Sequence, residues 1–206
     1  MHVMTKRVYL LISVFLLFLT ACSDNNKLTL LRGDSIILAF GDSLTYGVGS
    51  KGGKNYPEVL SDLAGLKVIN AGKSGETTSQ GVLRFQVTLE EYSPELVILL
   101  EGGNDILRNY PASETKRNLS AMIEIAQERG VEVVLIGVPK KSLFSDSAPL
   151  YENLAVKYDL AFDGELLSDL LRSPKYKSDP IHLNSEGYQK LAEGIYQVLK
   201  EGGAVY

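Results

Sequence analysis

Ser43 and His182 are the two residues of this 206-residue chain whose chemistry and surroundings favour a nucleophile and its base. Ser43 follows an apolar run, residues 36–40, through a Gly-Asp pair. A serine hydroxyl is a weak nucleophile until a neighbouring base accepts its proton. Asp179 lies three residues before His182, so one tight turn can bring its carboxylate to the ring and fix the ring tautomer. These three side chains would transfer an acyl group from an ester or thioester to Ser43.

Acyl transfer also needs hydrogen-bond donors for the oxyanion of the tetrahedral intermediate. Three residues could supply them, namely Ser43 and Gly75 through their backbone N–H groups and Asn104 through its side-chain amide. Glycine suits its position because a side chain there would hinder the approach of the backbone to a substrate.

Each of these residues also has a structural explanation when it is considered alone. Ser43 could cap a helix or close a turn, as serine after Gly-Asp commonly does. A lone histidine near the start of a helix is often a surface or capping residue, and Gly75 and Asn104 are ordinary loop residues. We interpret Asp42 and Asp105 as residues that hold turns. The joint pattern is what favours catalysis.

Strand-like and helix-like patterns alternate along the chain and predict the elements that must position these residues. The predicted strands are residues 36–40, 67–70, 96–100, 131–137 and 160–162. The predicted helices are residues 56–63, 79–91, 113–129, 149–158, 165–171 and 185–200.

Strands that are apolar throughout indicate a parallel sheet covered by helices on both faces. We therefore predict an α/β fold, a three-layer αβα sandwich around a flavodoxin-like parallel five-stranded sheet of order 2-1-3-4-5. In that order the loops that carry Ser43, Gly75 and Asn104 meet at one edge of the sheet, with Ser43 in the middle.

Composition limits the classes of ligand and partner. A net charge of −4 without a basic run argues against nucleic acid as a partner. One cysteine and two histidines are too few for a His/Cys zinc cluster, so we expect no metal and no cofactor. Residues 47–52 fit the G-x-G-x-x-G spelling of a dinucleotide loop, but their glycines start seven residues past the strand. We interpret them as a flexible solvent loop, and a flavin or nucleotide binder stays an alternative that rests on fold analogy.

The N-terminus resembles a bacterial lipoprotein signal. Lys6 and Arg7 precede a 12-residue apolar run, residues 8–19, that is too short to span a bilayer comfortably. Leu-Thr-Ala and then Cys22, the single cysteine, end the segment. The resemblance implies cleavage before Cys22 and diacylation of that residue, which anchors a protein stably in a membrane.

We expect a signal peptide over residues 1–21, a lipidated cysteine with its tether over residues 22–33, and one domain over residues 34–206. The resemblance implies a place in the bacterial cell envelope. Ser23, rather than Asp, follows the cysteine, which favours the outer membrane facing the periplasm if the host is Gram-negative. An ordinary cleaved signal with an incidental cysteine is the alternative.

Four sequence blocks together resemble the SGNH (GDSL) hydrolase family. They are residues 41–44, 70–77, 102–105 and 179–182, and the likeness extends over nearly the whole chain after residue 34. The family letters fall on Ser43, Gly75, Asn104 and His182. The bacterial thioesterase I, lysophospholipase and arylesterase group is the most similar. Pro180 stands where relatives often carry glycine, which should stiffen the loop without removing the resemblance.

The resemblance implies hydrolysis of an acyl ester or thioester through an acyl-Ser43 intermediate. We expect apolar loop residues to line an acyl groove, although several could be plain packing residues. These candidates are Leu44, Ile106, Leu107, Tyr110, Pro139, Leu143, Phe144 and Ile181. A carbohydrate or cell-wall O-deacetylase of the same family and a non-catalytic ligand-binding lipoprotein are the alternatives.

Overall fold

The computed structural model describes residues 28–52, 54–141 and 146–206. The predicted signal peptide, Cys22, Leu143 and Phe144 lie outside the described residues. No helix in the described ranges combines the length and the apolarity that crossing a membrane requires.

A parallel sheet of five strands forms the centre of the fold, in the order β2-β1-β3-β4-β5. Every neighbouring pair of strands is parallel. The strands are β1 (Ile36–Gly41), β2 (Lys67–Gly72), β3 (Leu96–Leu100), β4 (Glu132–Ile136) and β5 (Ala161–Asp163). The predicted fold class and strand order are confirmed. The predicted bounds of β3 match those observed, and the ends of the other strands differ by at most two residues.

Helices cover both faces of the sheet. They are α1 (Ser43–Tyr46), α2 (Tyr56–Ala64), α3 (Thr78–Tyr92), α4 (Gly103–Leu107), α5 (Ala112–Gln127), α6 (Pro149–Tyr158), α7 (Leu166–Arg172) and α8 (Ser185–Glu201), with a 3₁₀ turn at Pro174–Tyr176. Helix α2 packs against α8, and α3 packs against α5. The sequence patterns predicted the six longer helices and missed α1, α4 and the 3₁₀ turn, because an element of three to five residues shows no apolar period.

The central strands of the sheet are buried, and their carboxyl ends support the short helices α1 and α4. All five residues of β3 are buried, as are residues 37–41 of β1. A Cβ built on Gly41 would lie 2.0 Å from the Leu100 carbonyl oxygen and 2.4 Å from Thr45 Oγ1. A Cβ on Gly72 would lie 2.1 Å from the Tyr46 backbone nitrogen. Helix α1 therefore sits directly on the ends of β1 and β2, which fixes the position of its first residue, Ser43.

Gly41→Ala tests this close packing. The added methyl group must displace the β3 backbone, so we expect the free energy of unfolding to fall by about 2–4 kcal/mol. Gly33→Ala is the matched control, because no atom lies within 4 Å of a Cβ at that position. Chemical denaturation of both variants measures the difference. Equal stability of the two variants would contradict the proposed tight seating of α1.

Candidate active site

The structure brings Ser43, His182 and Asp179 together at the carboxyl edge of the sheet. Ser43 Oγ lies 3.0 Å from His182 Nε2, although the two residues are 139 positions apart along the chain. His182 Nδ1 lies 2.7 Å from Asp179 Oδ2. Ser43 is 9% exposed and the His182 side chain 15% exposed, so both groups are largely buried.

Asp179 holds the loop that carries the histidine. Its Oδ1 accepts hydrogen bonds from the backbone N–H groups of Ile181 and His182, each at 2.9 Å. Burial raises the pKa of Asp179, but these two hydrogen bonds and the bond to the His182 ring outweigh it, so the pKa lies below its usual value. The carboxylate therefore stays ionised at neutral pH and accepts from the ring, which leaves Nε2 facing Ser43.

The end of the histidine loop is fastened to the start of α8. The Asn184 side chain accepts from the Gly187 N–H at 2.9 Å and donates to the Lys175 carbonyl at 2.7 Å. The Ser178 N–H donates to the His182 carbonyl at 3.0 Å. Asn184 thus caps the helix and also clamps the loop from the other side.

The glycine segment at residues 47–52 packs against this same loop. A Cβ on Gly49 would lie 2.1 Å from Ser178 Oγ, and the Tyr188 hydroxyl donates to the Val48 carbonyl at 2.7 Å. The Lys51 N–H donates to Ser185 Oγ at 2.8 Å. The prediction of a flexible solvent loop is wrong here, because glycine allows the backbone to approach α8 and the histidine loop closely.

The Asn104 side-chain amide has an acceptor for each of its hydrogens. Nδ2 donates to the Glu76 carbonyl at 2.8 Å and to Asp42 Oδ2 at a longer 3.3 Å. Gly75 precedes Glu76 in the turn after β2 and has a φ of +79°. No atom lies within 4 Å of a Cβ on Gly75, so its backbone conformation, and not crowding by the protein, requires glycine.

Asp42 and Asp105 hold turns, and each also joins separate elements. Asp42 accepts from the Leu44 N–H at 3.0 Å and so caps α1. Asp105 accepts from the backbone N–H of Thr78 at 2.9 Å and from its hydroxyl at 2.6 Å, which ties the start of α3 to α4. Burial raises the pKa of Asp42 to about 6, and the neighbouring Asp105 and Glu76 carboxylates add to the effect.

Two further carboxylates lie beneath the site. Glu76 is paired with Arg84, whose Nε donates to both carboxylate oxygens at 2.8 and 2.9 Å. Glu101 is fully buried, and neither of its side-chain oxygens has a hydrogen-bond partner in the described structure. Burial, and then repulsion by the nearby carboxylates, raises the pKa of Glu101 well above its usual value. An acid directly after an apolar strand was the sequence signal for this residue, but its neighbours could not be known without the fold.

A cavity of about 350 Å³ opens beside Ser43, Asn104 and His182. Five of the predicted groove residues line it: Leu44, Ile106, Leu107, Pro139 and Ile181. Val138, Leu171 and Pro180 add apolar surface that the sequence did not indicate, and Lys140, Lys141, Arg172 and Lys177 add basic groups. Tyr110 does not line the cavity and is 45% exposed, because α4 ends at Leu107 and the chain turns away at Asn109. Phe144 lies outside the described residues.

Groups of three or more His, Cys, Asp or Glu side chains that could hold a metal ion do not occur in the described part of the chain.

Known proteins resemble this chain over most of its length. Residues 39–190 match the GDSL-like lipase/acylhydrolase family. The arylesterase of Vibrio mimicus is 31% identical over 174 residues, which cover 79% of this chain and 87% of that protein. Thioesterase 1/protease 1/lysophospholipase L1 of Escherichia coli K12 is 25% identical over 172 residues, or 80% of this chain and 83% of that protein.

A solved structure and a lipoprotein are also similar. The crystal structure of AlinE4, an SGNH-hydrolase family esterase, has a TM-score of 0.65 and 31% identity, covering 83% of this chain and 97% of that chain. The uncharacterized lipoprotein YqeF of Bacillus subtilis is 28% identical over 142 residues, or 62% of this chain and 56% of that protein. The family match over residues 39–190 and the arylesterase alignment together establish that this chain belongs to the GDSL-like lipase/acylhydrolase family.

Proposed function

We propose that this protein hydrolyses carboxylic esters or thioesters through an acyl-Ser43 intermediate. The observation that carries the proposal is the hydrogen-bonded series Ser43–His182–Asp179, with distances of 3.0 and 2.7 Å. The family match supports acyl hydrolysis, and relatives named arylesterase and thioesterase/lysophospholipase support ester and thioester substrates.

The reaction proceeds in two halves. Ser43 Oγ attacks the substrate carbonyl while His182 Nε2 takes the hydroxyl proton, and Asp179 stabilises the imidazolium that forms. Collapse of the tetrahedral intermediate breaks the bond to the leaving group, which receives the proton from His182. Water, deprotonated by His182, then attacks the acyl-Ser43 ester and releases the carboxylic acid.

The Asn104 amide, with the backbone N–H groups of Ser43 and Gly75, would bind the oxyanion of each intermediate. Because the Asn104 bond to Asp42 is the longer of its two bonds, it is the one that the oxyanion replaces. Asp42 then acts as a positioning residue that keeps the amide aimed at the reaction centre before substrate arrives.

The cavity beside Ser43 is the proposed acyl site. Its volume of about 350 Å³ falls within the range of small-molecule sites, and most of its wall is aliphatic. Leu44, Ile106 and Leu107 lie next to the nucleophile and the oxyanion donor in sequence, so the chain of a bound acyl group leaves the carbonyl directly into apolar surroundings. An acetyl group would leave most of this surface in contact with water.

Cys22 is the proposed site of lipidation. The basic, apolar and small-residue order of residues 6–21 supports it, and one relative, YqeF, is a lipoprotein. The mature enzyme would then be held in the cell envelope, at the outer membrane if the host is Gram-negative.

Ser43→Ala removes the proposed nucleophile. We expect the kcat/KM for p-nitrophenyl butyrate to fall by about 10³-fold or more, with the variant still folded. Ser113→Ala, on the exposed start of α5, is the control and should keep full activity. Unchanged hydrolysis by purified Ser43→Ala would exclude Ser43 and favour a binding protein or another nucleophile.

Asp42→Asn separates activity from stability. The amide oxygen introduced at position 42 can still accept from the Leu44 N–H, but the NH₂ group that accompanies it then faces the Asn104 amide. We therefore expect kcat to fall by about 10- to 100-fold at pH 7.5 with little change in KM. A merely structural role would lower the amount of folded enzyme and leave kcat per folded molecule unchanged.

The same variant has a defined effect on stability. Burial raises the pKa of Asp42 from 3.8 to about 6 in the folded protein. The stabilising contribution of this residue to the free energy of unfolding is therefore complete below pH 3.8, and about 3 kcal/mol is lost as the pH rises through 6. Asp42→Asn should remove this loss, so its stability should fall less between pH 4 and 7.5 than that of the wild type. Asp34→Asn, at an exposed position, is the control. Parallel pH profiles of stability for wild type and Asp42→Asn would contradict the buried titration.

A series of p-nitrophenyl esters from acetyl to palmitoyl tests the acyl site. We expect kcat/KM to rise from acetyl to medium chains, since each buried methylene contributes about 0.8 kcal/mol until the cavity is full. Leu171→Trp should reduce the rate for medium chains while sparing acetyl, and Leu83→Trp, on an exposed face, should change neither. A sharp fall beyond butyryl in the wild type would instead favour an O-deacetylase.

A further inference from the structure

The first described residues are fastened to the amino edge of the sheet. The N–H groups of Leu28 and Leu31 donate to the carbonyls of Gly202 and Ala204, each at 2.9 Å. The Thr29 N–H donates to the carboxylate of Glu132, the first residue of β4, at 2.9 and 3.0 Å. Leu28 is 7% exposed, so this part of the predicted tether belongs to the folded domain.

The catalytic residues lie at the opposite edge. Helix α8 connects the two regions, because its cap, Asn184, follows His182 by two residues and its C-terminal Gly202 holds Leu28. A helix of 17 residues is about 25 Å long at 1.5 Å per residue. Leu28 is the exit point, where the N-terminal segment leaves the domain. It is therefore separated from the loop that carries His182 by about the full height of the domain.

The chain between the proposed lipid anchor and this exit point is short. Five residues separate Cys22 from Leu28. Fully extended, six Cα–Cα steps span at most about 22 Å. To bring the cavity beside Ser43 against the membrane, the segment between Cys22 and Leu28 would have to run the length of α8, about 25 Å, and also around the flank of the domain. The tether is too short for this path.

We propose that the lipid-anchored enzyme holds the cavity beside Ser43 away from the membrane in which it is anchored. Its substrates are then short- to medium-chain acyl esters or thioesters dispersed in the aqueous compartment. This inference rests on the proposed lipidation of Cys22 and on the proposed hydrolysis at Ser43. The lipids of its own membrane leaflet lie beyond the reach of the site. The basic groups that line the cavity, including Lys177, therefore face dissolved substrate rather than the headgroups beside the anchor.

Fluorescence energy transfer measures this orientation without depending on catalysis. The full lipidated protein is reconstituted in phosphatidylethanolamine/phosphatidylglycerol vesicles that carry headgroup-linked acceptor dye. A donor dye is placed through Tyr110→Cys at the carboxyl edge or through Gly33→Cys at the amino edge, both of which are exposed positions. Transfer from position 110 should be weaker than from position 33 by a factor of about three or more, because the heights differ by about the length of α8.

A tether extension provides the functional arm. Thirty Gly/Ser residues inserted after residue 26 add a flexible span of about 30 Å, which is enough to let the cavity beside Ser43 reach the lipid surface. Hydrolysis of lysophospholipid in the host vesicle should then rise by about tenfold over the native tether, while hydrolysis of dissolved p-nitrophenyl butyrate stays the same.

The outcomes distinguish the claims. Equal energy transfer from positions 33 and 110, or equal hydrolysis of vesicle lysophospholipid with both tethers, would overturn the orientation. If the protein fails to float with vesicles, and the Cys22→Ser variant behaves in the same way, the proposed anchor is overturned and the orientation with it. If neither tether form hydrolyses p-nitrophenyl butyrate, while energy transfer still differs between positions 33 and 110, the hydrolytic function and the substrate class are overturned. The orientation is then still supported.

Discussion

The hydrogen bond between Ser43 Oγ and His182 Nε2 joins the two halves of the site. One partner starts α1, at the end of a central strand, and the other lies in a loop held by the hydrogen bonds of Asp179 and Asn184 and by the glycine segment at residues 47–52. Neither residue is reactive alone, since the hydroxyl needs a base and the ring needs a carboxylate to set its tautomer. The sheet order brings these groups to one edge, and Gly41 and Gly72 allow α1 to pack closely on the ends of β1 and β2.

Acidic groups are buried beneath the site. Burial raises the pKa of both Asp42 and Glu101, the neighbouring Glu76 and Asp105 carboxylates add to this effect, and Arg84 offsets part of it at Glu101. Arg84 also lies over the Phe40 ring at 3.9 Å, so it connects the acids to the core. The acids in turn orient the Asn104 amide and the start of α3. In the proposed mechanism, this placement of an oxyanion donor trades stability for preorganisation.

The sequence was sufficient to predict the fold and the grouping of Ser43, Asp179 and His182 at one edge of the sheet. Apolar strands predicted the sheet order, and the three-residue spacing of Asp179 and His182 predicted a turn that the structure contains. Contacts between side chains from different elements could not be predicted. The bond from Asn104 to Asp42, the unpartnered Glu101 carboxyl and the packing of Gly49 on Ser178 all depend on how loops meet in space. Tyr110 shows the same limit, because a left-handed turn at Asn109 directs it away from the cavity that its position along the chain suggested.

The central claim is that the acyl group is carried by Ser43. Its most direct test is peptide mass mapping after reaction with an aryl carbamate, whose carbamoyl-enzyme hydrolyses slowly enough to be isolated. We expect one carbamoyl group per molecule, located on Ser43, and loss of hydrolytic activity in proportion to its formation. Carbamoylation of another residue, or complete inhibition with no change in the mass of the Ser43 peptide, would contradict it.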